Sequence, residues 1–401
     1  MRSALGRAIG IVATAALVAC GHEPPSHFTG RDSLGIAVAE SHAHAWAADD
    51  AWGLDKEPLL RIGTVEGPAE YQLHDVQGAS RLGDGTLVIA NAGSNEIRFY
   101  DDRGRHTHSV GREGDAPGEY RRITKLGAGP GDSLWVYDYG TRRFTVLTAQ
   151  GDFVRVLALG ATLSAPNAVG RLADGSFTVN EQWSSSLQSE WQPGLTRGTT
   201  AVTRLLADGS AFDTVATVLG REVFLSDENG RAVMSAPLFA RASSATVSGN
   251  RVFLGSQETF EILRYSPEGD LLQIIRVPNA DLSITQEEVD LVIERELARV
   301  PESRHPMVRT HLQSMEMPPT RPAYGRLHVD QEGNLWAAEP TRYPYPARLW
   351  TVFDPEGRLL GELLMPDRFR LQQAGPDWVL GVWRDELDVE YVTLHRLRKG
   401  R

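Results

Sequence analysis

The chain has 401 residues and a formal net charge of −11, with 41% apolar and 23% charged residues. This composition suits a soluble fold with a large buried core, in one large or two modest domains. It excludes nucleic acid as the expected partner, because phosphate binding needs clustered Lys and Arg and no basic stripe is present.

The N-terminus has the layout of a secretory signal, with two arginines, an apolar stretch of twelve residues (8–19) and then Cys20. The stretch is too short for a membrane span. Its last residues, LVAC, resemble a bacterial lipobox, in which the cysteine is acylated and begins the mature protein. The alternative is a plain signal peptide. We expect residues 1–19 to be a lipoprotein signal and Cys20 the lipidation site, with the folded body in the cell envelope, outside the cytoplasm.

Residues 20–56 are mixed in composition and are predicted to be a tether between the anchor and the body, part of which can dock on the body. Cys20 is the only cysteine of the chain. An intramolecular disulfide is therefore impossible, and the stability of the body must come from packing.

Residues 57–400 carry a repeated strand pattern. Six glycine-containing or aspartate-containing turns are each followed by a compact apolar strand: TLVIA, SLWVY, SFTVN, RVFLG, NLWAA and DWVLG. A second set of turns leads into five further strands. The missing sixth is PLLRIG (58–63), predicted beside EYVTLHRLR near the C-terminus. The pattern predicts an all-β fold, a six-bladed β-propeller closed by an N-terminal strand. A two-sheet sandwich would not require six repeats.

Two related phrases, GTVEGPAEY (63–71) and GREGDAPGEY (111–120), fall between predicted blades. Together with the turns, the displaced strand and the lipobox, they resemble bacterial six-bladed propeller lipoproteins of the NHL-like group. The resemblance covers the chain from about residue 56 to its end. It implies a binding platform, although some related rings are metal-dependent lyases or hydrolases, and fold alone does not choose between these.

Four long segments are predicted on one face of the propeller: 183–198, 221–237, 279–322 and 340–347. Long loops on a rigid scaffold are where binding usually occurs. The longest contains a helical insertion between late blades, at about 281–319. Its helix is predicted to begin with a capping box of Ser283 and Gln286 and to bury an apolar stripe. It is interpreted as a lid on the propeller rim or, alternatively, as a partner-binding helix.

The six second strands end in a mostly polar column, which is expected to ring the mouth of the central channel. Its members are Asn91, Asp138, Glu181, Ser256, Glu339 and Val382. The five polar members are candidate ligand-binding residues. Asp138, Glu181 and Glu339 are candidate metal ligands, because Ca²⁺ prefers hard oxygen donors. The column would otherwise attract a cationic group, or simply hydrogen-bond loop backbone and channel water. No other cofactor is indicated.

Four aromatic residues lie in the predicted loops of the same face: Trp183, Trp191, Tyr343 and Tyr345. Exposed Trp and Tyr suit a protein, peptide or carbohydrate ligand, although they can equally anchor their own loops. No nucleophile elbow marks a catalytic serine, and no catalytic residue is identified. The sequence favours a monomeric, surface-anchored binding protein over an enzyme. The alternatives are a divalent-metal-dependent hydrolase or lyase using the carboxylate ring, and a structural role in an envelope assembly.

Overall fold

The computed structural model describes residues 27–47, 50–160, 163, 166–181, 192–209, 212–227, 230–340 and 348–400. Strands dominate this part of the chain. Four short strands precede the repeats: β1 (Phe28–Ser33), β2 (Ile36–Ser41), β3 (Gly53–Leu54) and β4 (Leu60–Ile62). The remaining strands form six sheets, numbered 1 to 6 along the chain. Each is built on four antiparallel strands, with β4 supplying the fourth in sheet 6.

The first three sheets follow the predicted repeats closely. Sheet 1 contains β5 (Val76–Arg81), β6 (Leu87–Asn91), β7 (Glu96–Tyr100) and β8 (His106–Val110). Sheet 2 contains β9 (Ile123–Ala128), β10 (Leu134–Asp138), β11 (Arg143–Leu147) and β12 (Phe153–Ala158). Sheet 3 contains β13 (Pro166–Arg171), β14 (Phe177–Glu181), β15 (Gly194–Leu205), β16 (Phe212–Asp227) and an added β17 (Ala232–Ser235).

The last three sheets have the same order of strands. Sheet 4 contains β18 (Ser244–Ser248), β19 (Arg251–Gly255), β20 (Glu261–Tyr265) and β21 (Leu271–Arg276). Sheet 5 contains β22 (Leu327–Val329), β23 (Leu335–Ala338), β24 (Leu349–Phe353) and β25 (Leu359–Leu364). Sheet 6 contains β26 (Phe369–Ala374), β27 (Trp378–Arg384), β28 (Glu390–Arg398) and, as its outer strands, β4 and β3.

The outer strand of sheet 6 comes from the N-terminal side of the body. β4 pairs antiparallel with β28, with Leu60 opposite Leu394 and Ile62 opposite Val392. This is the pairing that the sequence predicts for PLLRIG. Ile62 is buried in the cluster that joins sheet 6 to sheet 1.

The core is divided into apolar clusters that lie between neighbouring sheets. Five of these clusters each join two neighbouring sheets, from the pair of sheets 1 and 2 through the pair of sheets 5 and 6. A sixth cluster joins sheet 6 to sheet 1. Each sheet therefore buries both of its faces. This explains why the second strands are almost continuously apolar instead of alternating.

Part of the predicted tether docks on the body. β1 and β2 form a hairpin, and β2 pairs in parallel with β21, the outer strand of sheet 4. Val38 and Ala39 are buried there, and the Ser41 hydroxyl accepts a hydrogen bond from Leu359 N at 2.9 Å. This N-terminal segment thus packs against sheets 4 and 5. The apolar positions that drive the docking lie in the short run IAVAES.

The insertion between sheets 4 and 5 contains two helices where the sequence predicts one. They are α1 (Gln286–Leu297) and α2 (His305–Ser314). The capping box is formed by Thr285 and Glu288, so the prediction of Ser283 and Gln286 is wrong by two residues. Ser283 instead hydrogen-bonds Asp281 in the preceding turn. No helix of the described residues is long and apolar enough to cross a membrane.

Candidate functional site

Two kinds of connection emerge at one end of the sheets. Because the strands of each sheet alternate in direction, the turn between its second and third strands lies at the same end as the connection to the next sheet. We call this end the loop face. The helical insertion lies there. The turns at the other end are short, such as those at 82–86 and 330–334.

A long hairpin also extends to the loop face. β14 pairs with β15 only from Val202 to Leu205, but β15 and β16 continue to pair as far as Gly194 and Leu225. β17 adds a third strand to this extension. The sequence predicts two loops here, and the structure replaces part of them with regular sheet.

The hairpin extension and the helical insertion pack together above the loop face. Their contact has its own apolar cluster, apart from the six clusters between sheets. Its buried members are Leu238, Val289, Ile293, Leu297, Leu312 and Met315, with Phe224 and Phe239 partly buried against them. We call this body, residues 194–201, 218–227, 230–240 and 282–320, the canopy.

The canopy also exposes large apolar side chains. They are Met234 (49% exposed), Leu291 (49%), Met307 (64%) and Met317 (39%). Four of the six methionines of the chain belong to the canopy, counting the buried Met315. Methionine is flexible and polarisable, and it is frequent on surfaces that adapt to a partner.

A cleft of about 660 Å³ lies between the canopy and sheet 4. Its wall combines the apolar side chains of Phe260, Val277 and Leu282 with the carboxylates of Glu258 and Glu261. Glu258 faces Arg197 at 3.6 Å, and Glu261 pairs with Arg276. This volume lies within the range of small-molecule sites, which are mostly apolar with a few fixed polar groups.

Asn91 and Asp138 of the predicted ring are buried and bind loop backbone. The Asn91 Oδ1 accepts a hydrogen bond from His74 N at 2.7 Å. The Asp138 carboxylate accepts three, from Arg121 N at 2.6 Å and from Arg122 N and Thr141 N at 3.1 Å each. Both side chains therefore hold the connections that lead into their sheets, and Asp138 also holds the turn between β10 and β11.

Three other members of the predicted ring also accept hydrogen bonds, one through its side chain and two through their backbone carbonyls. Glu339 Oε1 accepts hydrogen bonds from Arg348 N at 2.7 Å and Leu349 N at 3.1 Å. The carbonyl of Ser256 accepts one from Arg197, and the carbonyl of Glu181 accepts one from the Thr200 hydroxyl at 2.8 Å. Asn91, Asp138 and Glu339 thus direct side-chain oxygens to loop backbone, which is one of the alternatives that the sequence leaves open.

The carboxylates proposed as metal ligands do not fit a calcium site. Asp138 uses both of its oxygens for backbone amides, and Glu339 uses one oxygen for two amides. Among the described residues, no group of three or more His, Cys, Asp or Glu side chains could hold a metal ion. The expectation of Ca²⁺ at Asp138, Glu181 and Glu339 is therefore not supported. The four predicted loop aromatics, Trp183, Trp191, Tyr343 and Tyr345, and the lipidation site Cys20 lie outside the described residues.

Sequence reasoning missed a group of cationic side chains on the first strands. Lys125 lies on β9, His328 on β22 and Arg370 on β26, and Arg326 immediately precedes β22. Burial lowers the pKa of Lys125 to about 8, with the charge of Arg326 adding to the effect. Burial, with Lys125 nearby, lowers the pKa of His328 to about 4. A signal was available, because none of the six first strands contains Asp or Glu.

The solved structures that resemble the chain are propeller-like. A candidate exported protein from Bacteroides fragilis is 13% identical, with 90% of this chain and 99% of that chain covered and a TM-score of 0.50. A DUF4221 family member from Bacteroides vulgatus is 10% identical, with 88% and 99% covered and a TM-score of 0.51. A gluconolactonase from Xanthomonas campestris is 13% identical, with 86% and 100% covered and a TM-score of 0.43.

These likenesses show a propeller-type fold and nothing about activity, because all the identities are low. No protein-family profile matches the chain. No characterised protein has a matching sequence.

Proposed function

We propose that the chain is a six-bladed β-propeller, closed by its N-terminal strand β4, that binds a partner through its loop face. In this proposal a lipid on Cys20 anchors it to a bacterial membrane, with the propeller outside the cytoplasm. The similarity of its fold to that of a candidate exported protein agrees with this location. The lipobox-like residues of the N-terminus carry the anchoring part.

The order of contacts around the body supports the ring. First strands of successive sheets contact one another, as β5 does with β9 and β18 with β22, and β26 contacts β5. Sheets 5 and 6 are joined by a hydrogen bond from Gln331 N to Ala374 O at 3.0 Å. Sheets 6 and 1 are joined by one from Arg81 N to Gln373 Oε1 at 2.7 Å. Closure of this kind removes free sheet edges, which otherwise promote aggregation.

The canopy is the observation that carries the binding function. A propeller ring needs no such addition for stability, because its six clusters already bury both faces of every sheet. The canopy has its own core and still leaves four large apolar side chains exposed. Exposed apolar groups around a cleft are typical of a surface that a partner covers.

The cleft suggests the chemistry of the partner. Phe260, Val277 and Leu282 offer apolar contact, while Glu258 at the rim is 40% exposed at its side chain. A peptide or protein segment with apolar side chains matches these walls better than a carbohydrate does. The metal-dependent hydrolase is not adopted, because the carboxylates on which it relies bind backbone amides.

The experiment compares capture of envelope components by charged canopy variants. The bait is the purified full-length protein, cross-linked in an envelope extract. We expect Leu291→Glu and Met307→Glu to reduce recovery of a captured species at least tenfold, because each buries a charge in the interface. The matched control is Leu34→Glu, a fully exposed leucine at the tip of the β1–β2 hairpin.

The result has a clear reading in either direction. Unchanged recovery with the control and loss with both canopy variants would support the proposal. Equal recovery with all four proteins would remove the canopy from the binding surface.

A further inference from the structure

The first strands of the six sheets surround a common axis in the proposed ring. They are the strands through which successive sheets contact each other near that axis. Sheets 2 and 5 then stand opposite one another, with two sheets between them in each direction. The charge of Arg326 in sheet 5 nevertheless acts on Lys125 in sheet 2, and Lys125 acts on His328. In the proposed ring, these side chains are therefore within electrostatic range of one another across the central channel.

Three of the cations lie at the loop-face end of the channel. Arg370 pairs with Val382, which is the sheet 6 member of the ring column. Lys125 pairs with Tyr137, one residue before Asp138. The Arg326 carbonyl accepts a hydrogen bond from Ala338 N, one residue before Glu339. His328 lies deeper, opposite Trp336. A solute entering from the loop face would meet the two arginines and the lysine first.

These cations keep hydrogen-bond donors free for a ligand. Lys125 Nζ donates to the carbonyls of Ala168 at 3.1 Å and Val169 at 2.7 Å, and an ammonium has a third donor. Arg370 donates through one nitrogen to the Val76 carbonyl. Among the described residues, none accepts a hydrogen bond from the Arg326 guanidinium.

No carboxylate in the described part of the chain forms an ion pair with Arg326 or Lys125. Desolvation alone lowers the pKa of Arg326, and no carboxylate is among the groups that shift the pKa of Lys125 or His328. Burial lowers the pKa of Arg370, and the negative charges of Glu390 and Asp75 partly offset this effect. The Glu390 carboxylate, however, already binds Val76 N at 2.8 Å and Arg384 at 2.7 Å.

We propose that the central channel binds a small oxyanion, a carboxylate or phosphate group, between Arg326, Arg370 and Lys125. Unpaired charges inside a protein are costly, and an oxyanion would offset that cost with charge-assisted hydrogen bonds. Guanidinium groups match the paired oxygens of carboxylate and phosphate. The His328 Nε2, which is buried without a hydrogen-bond partner, lies beyond this site and offers it a further polar contact.

This inference rests on the proposed ring but uses neither the canopy nor the cleft. Its test exploits the rarity of lysine, since the chain has only Lys56, Lys125 and Lys399. The purified full-length protein, labelled with ¹⁵N at lysine side chains, would be titrated with pH by NMR. Inorganic phosphate and citrate are the two probes, and Lys125→Met assigns the Lys125 signal.

The expected result is a Lys125 midpoint near its lowered pKa of about 8, which either probe raises while Lys56 and Lys399 stay unchanged. A response to phosphate alone or to citrate alone would identify the preferred group. Arg326→Gln should weaken binding of the probe at least tenfold, as expected for the loss of a charge-assisted hydrogen bond. The control Arg103→Gln removes an exposed turn arginine and should bind as the wild type does.

Two results would overturn the proposal in different ways. If Lys125 titrates like the other two lysines, the cation does not lie in an enclosed channel, and the ring itself is in doubt. If Lys125 titrates low but neither probe moves its midpoint, the ring stands and the oxyanion site is refuted. Loss or retention of partner capture by the canopy has no bearing on either result.

Discussion

Removing the Asp138 carboxylate tests whether the ring column is structural. Asp138 is fully buried, and its two oxygens accept hydrogen bonds from Arg121 N, Arg122 N and Thr141 N. Asp138→Ala leaves all three amides without their acceptor. Each buried orphan costs about 1–3 kcal/mol. Water reaches part of this loop, because the Arg121 and Arg122 residues are exposed. We therefore expect a loss of about 3–5 kcal/mol in the free energy of unfolding.

Asp138→Asn separates the effect of shape from that of the acceptors. The amide fills the same space but keeps one oxygen and places an NH₂ group against backbone donors. We expect it to lose about 1–3 kcal/mol, less than the alanine variant. The matched control is Glu386→Ala in an exposed turn, which should change the unfolding free energy by no more than about 0.5 kcal/mol.

Urea unfolding followed by the fluorescence of the nine tryptophans measures these differences. The midpoint should fall for both Asp138 variants with an unchanged slope, since the same surface is exposed on unfolding. Added Ca²⁺ should leave the wild-type midpoint unchanged. The reasoning is refuted if Asp138→Ala is as stable as the control, or if Ca²⁺ stabilises the wild type and not the variant.

Two further predictions concern the channel and the closing strand. Burial lowers the pKa of His328 from 6.5 to about 4. As pH falls, His328 therefore takes up a proton in the unfolded chain before it does so in the folded protein. The free energy of unfolding of the wild type should fall by up to about 3 kcal/mol across this pH range. His328→Gln should lack this loss, and equal pH slopes of the two urea midpoints would contradict it. Ile62→Ala, which empties a buried site between sheets 6 and 1, should cost about 2–4 kcal/mol in urea unfolding. The exposed neighbour Leu59→Ala should cost little, and equal costs would argue against a structural role for β4 in closure.

The strand pattern was predictable because the repeats state it locally. Each second strand is short, apolar and preceded by a turn, so the six sheets could be counted before their packing was known. The pairing of β4 with β28 followed from the one strand missing in the count. Repetition supplies a constraint that single elements lack, because a strand missing from one unit must be provided by another part of the chain.

The additions to the ring were not predictable in the same way. The β1–β2 hairpin pairs with β21 of sheet 4. Its own sequence, a single turn between two short strands, does not distinguish it from a linker. The shared core of the canopy joins residues about 60 positions apart, such as Leu238 and Ile293. Helix α2 begins with His305 and Pro306, and its periodicity is short. Tertiary contacts decide such segments, and local propensity carries little of that information.

The blade junctions show why polar residue types did not reveal their partners. In the phrase GREGDAPGEY, the Glu119 carboxylate accepts a hydrogen bond from Ala116 N at 2.9 Å, and Tyr120 is fully buried beside it. The same junction is also held by Arg143, which donates to the carbonyls of Asp115, Ala116 and Glu119. Nothing near Arg143 in the sequence distinguishes it from a surface arginine. Its role depends on which loop the ring brings to it.

The charge of the channel follows from the same cause. The acidic column lies at the strand ends near the mouth of the proposed channel. Backbone amides of the loops, however, bind both Asp138 oxygens and one Glu339 oxygen. Amides of this kind need acceptors wherever a chain leaves a buried strand, so polar residues at strand ends have a structural task first. The first strands contribute cations and no carboxylates. In the proposed ring, an acidic protein would thereby acquire a channel of the opposite sign, which would suit an anion better than the Ca²⁺ that the column suggests.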